Sequence, residues 1–203
     1  MKYCIIALMI LACLVACGKE AEKPKPGQAI SQAQKAEPKQ VDPMAQKLAA
    51  LGKNLKDAAQ EGVELSDEQI AELEELFQLV LPKAEGDLAG YTWEISCSKG
   101  TDDKDVFYGA NLYRPKGEAE EAEQEKVMWF HIIYNPHMTQ EEKDGYGTED
   151  LDGYKGMGAK DEHFFVLVGN TEIRAVADSE DFKSDEKIKG VIRRFALKKI
   201  ASL

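Results

Sequence analysis

The sequence lacks any apolar run long enough to cross a membrane as a helix. Its longest apolar stretch, from Tyr3 to Cys17, has 15 residues, whereas a membrane-spanning helix needs about 20. Basic residues are also in the minority, because 37 acidic side chains stand against 26 basic ones and the net charge is -11. Nucleic-acid-binding proteins usually present a basic face, so we expect no nucleic-acid partner.

The sequence also lacks the common linear motifs of catalytic and cofactor sites. The patterns G-x-S-x-G, H-E-x-x-H, the P-loop and the Rossmann glycine fingerprint are all absent. We therefore predict no cofactor. An enzyme would need a site assembled from residues scattered along the chain.

The N-terminal residues have the pattern of an export signal. Lys2 supplies a positive charge, the apolar stretch follows, and charged residues begin again at Lys19. This order is typical of a secretory signal peptide. The stretch ends in Leu14-Val15-Ala16-Cys17, which resembles the lipobox of bacterial lipoproteins: a branched apolar residue, two smaller residues and an obligatory cysteine.

The resemblance implies how the chain is processed and held. In lipoproteins the cysteine thiol forms a thioether to diacylglycerol, and a signal peptidase then cuts before that cysteine. Residues 1–16 are accordingly predicted to be the signal peptide, and Cys17 the lipidation site and fatty-acylated membrane anchor. Gly18 in place of aspartate implies delivery to the outer membrane, facing the periplasm. The alternative is an ordinary signal peptide, or a buried helix, in which Cys17 is incidental.

A single cysteine remains in the mature chain under this interpretation. Cys4 and Cys13 leave with the signal peptide and Cys17 carries lipid, so Cys97 is the last free thiol. The mature monomer then has no internal disulfide, although export delivers it to an oxidising space. Cys97 lies in a strand pattern, which predicts a small buried apolar side chain.

Two further regions follow the signal peptide. Residues 17–42 are rich in Lys, Glu, Pro, Gln and Ala without apolar periodicity, so they cannot bury enough surface to offset the entropy of ordering. We predict a flexible tether there, with a mean span of about 25–30 Å. Residues 43–203 are long enough for one hydrophobic core, which predicts a single globular domain.

The domain begins with two helical patterns. Apolar residues recur at helical spacing from Met44 to Ala58, and Glu61-Gly62 interrupts the pattern. Ser66-Asp67-Glu68-Gln69 fits a capping box at the start of a second helix, which we expect to end at Pro82. Together the two patterns predict an N-terminal helical hairpin.

Five later segments have strand patterns, at residues 91–98, 106–113, 127–134, 164–168 and 171–177. No crossover helix separates them, so we predict an α+β fold with a five-stranded, mainly antiparallel sheet. The third strand is apolar on both faces apart from His131, which predicts helices or a partner chain on both sides of the sheet. Ser184 caps a C-terminal amphipathic helix that is predicted to pack on the sheet and extend to about residue 200.

Basic side chains surround the apolar stripe of that last helix. Near an anionic membrane each of them can add ~1 kcal/mol of binding free energy. The alternative is a solvated helix face that balances the acidic loops. The residues concerned are Lys187, Lys189, Arg193, Arg194, Lys198 and Lys199.

The histidines allow one metal-site hypothesis. His137 follows the third strand and His163 opens the fourth, and converging strand ends can bring such residues together as ligands. Half-buried, hydrogen-bonded histidines are the alternative, so the metal prediction stays open.

The acidic segment after residue 143 allows a second hypothesis, a loose cation site. It is not an EF-hand, because Thr148 and Ala159 occupy positions that need carboxylates. The alternative is a set of solvated loop acids. The candidate ligands are Asp144, Glu149, Asp150 and Asp152.

The 28 residues from Asn135 to Glu162 form a long connection in which only Thr139-x-x-Glu142 predicts a short helical turn. Structureless connections beyond about 12–15 residues are uncommon in compact domains and are often functional. Five glycines alternate here with tyrosines and acids. We therefore predict an ordered or partner-ordered loop whose acids select a cationic group; alternatively, its tyrosines only pin it to the sheet. The predicted ligand- or partner-binding residues are Tyr146, Asp150, Asp152 and Tyr154.

Taken together, these patterns predict a membrane-anchored envelope lipoprotein. Its domain is expected to be a non-enzymatic binding or interaction module that engages an envelope protein or a small ligand. The alternative is an enzyme with a site built from scattered residues.

Overall fold

The computed structural model describes residues 42–100, 104–115, 124–159 and 162–203, which belong to one compact unit. The predicted signal peptide, the lipidation site Cys17 and residues 18–41 of the predicted tether lie outside the described residues. Within the described ranges, no helix is both long and apolar enough to span a membrane.

Two helices open the domain, and their ends are set by local capping. Helix α1 (Pro43–Ala58) begins after Asp42, whose carboxylate accepts a hydrogen bond from the Met44 N–H at 3.0 Å. Helix α2 (Asp67–Phe77) begins with the predicted capping box, which is confirmed in both directions between Ser66 and Gln69. The α-helix ends at Phe77, before the expected stop at Pro82.

The sheet has seven strands rather than the predicted five, and every neighbouring pair is antiparallel. The predicted strands correspond to β1, β2, β3, β6 and β7, so the mixed α and β character and the antiparallel pairing are confirmed. The strands lie in the order β1-β2-β3-β7-β6-β5-β4. Their bounds are β1 Thr92–Lys99, β2 Val106–Pro115, β3 Gln124–Tyr134, β4 Glu149–Leu151, β5 Tyr154–Ala159, β6 His163–Val168 and β7 Thr171–Ala177.

The two additional strands come from the segment that was predicted to be a loop. It contains the short helix α3 (Gln140–Asp144), capped by Thr139 as predicted, and then the hairpin of β4 and β5. Asp152 and Gly153 have φ values of 55° and 90° and form a two-residue turn between the paired residues Leu151 and Tyr154. Two positive φ values are the mark of a type I′ hairpin turn, for which Asp-Gly is a preferred sequence.

The predicted C-terminal helix is divided into α4 (Asp185–Ile192) and α5 (Leu197–Ile200). Ser184 caps α4 as predicted. Between the two helices the Ala196 N–H donates to the Val80 carbonyl at 2.9 Å. This tertiary hydrogen bond replaces an intrahelical one and ties the interruption to the turn that follows α2.

One face of the sheet is covered by helices. Residues of α1, α2, α4 and α5 share a single hydrophobic core with that face, whereas α3 has no buried residue. In β3, Phe130 and Ile132 point into this core and are fully buried, while Trp129, His131 and Ile133 remain partly exposed on the opposite side. Within the described residues helices cover only one face of β3, so helix cover on the opposite side is not found, and cover of that side by a partner chain stays a prediction. We call this opposite side the outer face.

Candidate functional site

The four residues predicted to bind a ligand or partner do not form one site. Tyr154 is part of β5 on the core side, and Asp152 lies beside it in the hairpin turn. Tyr146 precedes β4 and is half-buried; burial raises the pKa of its phenol, and nearby Arg174 opposes that shift. Because Arg174 belongs to the outer face, Tyr146 lies on the outer side of the sheet and Tyr154 on the core side.

The acids proposed as a cation site each have a separate partner. Asp144 accepts from Lys155 at 3.3 Å, and the hydrogen bonds from Gln140 and Lys155 lower its pKa. The Asp150 carboxylate accepts the Gly153 N–H at 3.1 Å and supports the hairpin turn. Across the described ranges, no group of three or more His, Cys, Asp or Glu side chains is arranged to hold a metal ion.

The two histidines proposed as metal ligands lie at different ends of the sheet. His163 is level with Trp129, since both pair with Val176. His137 lies beyond Tyr134, which is five residues, or about 17 Å, further along β3. Its ring Nε2 lies 3.3 Å from the Ala59 carbonyl oxygen at the end of α1. The strand ends that carry these histidines therefore do not converge.

The outer face carries a cluster of aromatic rings around His131. The His131 ring centroid lies 4.4 Å from that of Trp129 and 4.9 Å from that of Phe107. Burial lowers the pKa of His131, and the neighbouring cation Arg174 lowers it further. Both effects favour the uncharged form of the ring, which suits an apolar surface. The apolar side chains of this face include Phe107, Trp129, Ile133, Met157 and Phe165.

The two charged side chains at the centre of the outer face, Arg174 and Glu172, neutralise each other. Arg174 forms an ion pair with Glu172 on the same strand, and its guanidinium lies 5.9 Å from the centroid of the Phe165 ring. The Glu172 side chain is 12% exposed and that of Arg174 is 43% exposed. The result is a nearly neutral aromatic surface on a chain of net charge -11.

A second candidate surface lies where the β4–β5 hairpin meets the C-terminal helices. A cavity of about 330 Å³ is bordered by Tyr154, Phe195, Leu197 and basic side chains. It adjoins a cavity of about 560 Å³, which shares Ala196 and Lys199 with it and extends to Leu79 and Leu81. We call the two together the C-terminal groove. Its basic border consists of Lys83, Arg193, Arg194, Lys198 and Lys199, and its acidic border of Glu85 and Asp152.

Acidic partners neutralise three of the six basic residues that surround the stripe of the C-terminal helix. Lys189 lies 2.7 Å from Glu149, Arg193 lies 3.4 Å from Asp152, and Arg194 pairs with Asp87. These three residues therefore balance acidic side chains, which is the alternative to membrane binding that the sequence left open. Lys187, Lys198 and Lys199, together with Lys83 on the groove, have no ion pair with any described residue.

Cys97 is buried, as predicted from its strand pattern. Burial raises the pKa of its thiol to about 12, although a hydrogen bond with Tyr108 lowers it in part. A nucleophilic cysteine needs the opposite shift, toward the thiolate. The Cys97 N–H donates to the Glu74 carboxylate at 2.7 Å, which satisfies a backbone group on the edge strand β1. The environment of Cys97 therefore favours a structural role over a nucleophilic one.

The sequence did not identify the outer face as an open surface, and it identified only part of the C-terminal groove: Asp152, Tyr154 and the basic residues of the last helix. The signal for the outer face was present in the two-sided apolar pattern of β3, which predicted that either helices or a partner chain would cover that face. The C-terminal groove joins residues 79–86 to residues 152–154 and 193–199, and no local pattern connects these segments. Comparisons with protein-family models, curated proteins and solved structures found no match for the chain.

Proposed function

We propose that the chain is a lipid-anchored protein of the bacterial cell envelope, held through Cys17 at the outer membrane and facing the periplasm. Its folded domain serves as a non-enzymatic binding module. It engages a protein partner through the outer face of its sheet. The lipobox resemblance supports the anchor, and the chemistry of the outer face supports the binding role.

The observation that carries the binding role is an aromatic sheet face that no described helix covers. The fully buried centres of protein interfaces are enriched in aromatic residues, Met and Arg and depleted in unpaired charge. The outer face has this composition, with Trp129, Phe165 and Met157 around Arg174. Trp and Arg are also the residues that most often dominate binding energy.

The size of the face is suitable for a specific interface. Seven strands spaced about 4.8 Å apart and about seven residues long span roughly 29 by 23 Å, or about 700 Å². A standard interface buries about 800 Å² on each partner. A folded protein can therefore cover most of the outer face at once.

Site-specific photocrosslinking in intact cells tests the proposal. A photoreactive phenylalanine analogue at Phe107 or Phe165 places the probe on the outer face of the full-length chain. The same analogue at Tyr91, which packs at the edge of the helix-covered core, is the matched control. We expect one protein adduct of the same mass from both outer-face positions and none from Tyr91.

The change Trp129→Ala distinguishes a specific contact from chance proximity. It removes a large, partly exposed ring from the centre of the face, so we expect the Phe107 and Phe165 adducts to disappear while the unfolding temperature changes little. Identical adducts from Tyr91, or adducts that survive Trp129→Ala in a folded protein, would contradict the proposal.

A further inference from the structure

The C-terminal groove combines an apolar floor with unpaired positive charge. Tyr154 and Leu197 contribute to the floor, and Lys198 and Lys199 stand at its border. Lysine stems can lie along apolar surface while their ammonium groups stay in water. Such a groove suits a ligand that has an apolar part joined to an anionic group.

The charge of the groove is opposite to that of the whole protein. Five basic side chains and two acidic ones border it, on a chain with a net charge of -11. Arg193 and Arg194 already have carboxylate partners. Lys83, Lys198 and Lys199 have none within the ranges that the structure describes. Three cations thus remain available to an incoming anion.

We propose that the C-terminal groove binds the headgroup of an anionic phospholipid at the surface of a bilayer. The phosphate contacts the ammonium group of Lys199, which borders both cavities, and is attracted by Lys198 on one side and Lys83 on the other. The Tyr154 ring and the apolar floor contact the interfacial part of the lipid, where aromatic rings with one polar end are favoured. The groove thereby fixes which side of the domain faces the membrane.

The negative charge elsewhere on the chain does not prevent this contact. At physiological ionic strength, charges more than about 8 Å apart in solvent are largely screened, so a membrane in contact with the groove is influenced mainly by the local lysines. Binding should therefore depend on anionic lipid and weaken with salt.

Vesicle sedimentation tests the inference on the chain from residue 17 onward, with Cys17→Ser so that no lipid is attached. The probes are vesicles of phosphatidylcholine alone and of phosphatidylcholine mixed with phosphatidylglycerol. We expect binding to the mixed vesicles at low salt, loss of that binding at high salt, and no binding to phosphatidylcholine alone.

Charge reversal locates the contact. The variant K198E/K199E should bind the mixed vesicles at least roughly thirtyfold more weakly, because each basic group near an anionic surface contributes about a fivefold effect. The variant K47E/K56E is the matched control, since it changes two exposed lysines of α1 that likewise have no described ion pair and alters the net charge equally. We expect its binding to stay within about threefold of the unmodified protein. The neutral variant K198Q/K199Q, which places no acid at the end of α5, should show an intermediate loss.

Three outcomes would overturn the inference. These are absence of binding to the mixed vesicles at low salt, equal binding to neutral vesicles, and equal losses in the groove and control variants. Near-ultraviolet circular dichroism verifies that each variant is folded. The assay involves neither the lipid anchor nor a protein partner, so its result is separate from that of the proposed function.

Discussion

Lys189 connects the C-terminal helices to the β4–β5 hairpin. Its ammonium lies 2.7 Å from Glu149 and 4.8 Å from the centroid of the Phe164 ring, and its side chain is only 13% exposed. The other oxygen of Glu149 accepts the Gly158 N–H at 3.0 Å. One carboxylate therefore joins α4 to both strands of the hairpin.

The change Lys189→Met tests this connection. It keeps the apolar stem and removes the charge, leaving Glu149 without its cation, so we expect a loss of about 1–2 kcal/mol in the free energy of unfolding. Lys53→Met is the control, because the Lys53–Asp57 pair is mostly exposed and should therefore contribute little to the free energy of unfolding. Urea unfolding measures both. Equal effects would show that Lys189 acts as an ordinary surface lysine.

The same pair predicts the pH dependence of stability. The hydrogen bond from Lys189 lowers the pKa of Glu149 below its ordinary 4.5, and the bond to Glu149 raises the pKa of Lys189 above its ordinary 10.5. The Glu149 contribution is complete above pH 4.5 and falls away as the pH drops through its folded pKa. The Lys189 contribution is complete below pH 10.5 and falls away as the pH rises through its folded pKa. Lys189→Met should therefore cost most between these limits and least in acid, which urea unfolding across the pH range measures.

At the scale of elements, the β4–β5 hairpin depends on glycines that meet different requirements. Gly147 has φ +63°, and a Cβ there would lie 2.2 Å from the Gly156 carbonyl oxygen. Gly153, in the hairpin turn, has φ +90°, but a Cβ there would have no neighbouring atom within 4 Å. Position 147 requires glycine both for its left-handed backbone and because the Gly156 carbonyl lies too close for a Cβ. Position 153 requires glycine only for its left-handed backbone.

Replacing each glycine by alanine should separate these two requirements. Gly153→Ala is expected to cost about 1–2 kcal/mol, the cost of a left-handed alanine. Gly147→Ala should add about 1–3 kcal/mol for the clash with the Gly156 carbonyl. Chemical denaturation gives both values. A larger loss of stability in Gly153→Ala than in Gly147→Ala would contradict the close packing of residues 145–148 against β5.

At the scale of the whole molecule, the proposed anchor and tether determine where the two surfaces act. The tether predicted from the composition, with a mean span of about 25–30 Å, would hold the domain near the membrane and let it turn. The proposed lipid contact then selects one orientation, and the outer face is the surface available to a partner.

The anchor prediction is tested by Cys17→Ala. No other residue can carry the thioether, so we expect the chain to remain an uncleaved precursor and to lose fatty-acid labelling. Cys13→Ala is the control and should be labelled normally, because that residue leaves with the signal peptide. Metabolic labelling and gel mobility measure both properties. Normal labelling of the Cys17→Ala chain would refute lipidation at this position.

The sequence by itself determined the features whose causes lie within a few residues. The capping boxes at Ser66 and Thr139 were predictable because the two residues that bond to each other in a capping box are only three positions apart. The two-residue turn Gly169-Asn170 between β6 and β7 also has a local cause, because glycine supplies its positive φ of 65°. Asp152-Gly153 carried an equally local signal, but Gly156 and Gly158 break the apolar alternation of β5 and concealed the strand. The lipobox is also local, and lipidation remains a prediction.

Only the tertiary structure decided which surfaces exist. Alternation along β3 identifies two faces, but the contacts of distant helices determine which face is covered. The separation of Tyr146 from Tyr154 likewise depends on how the hairpin joins β6. The C-terminal groove forms because Ala196 hydrogen-bonds to Val80, 116 residues earlier in the chain. Sequence patterns report interactions between near neighbours, whereas a binding surface is the sum of contacts between residues that only folding brings together.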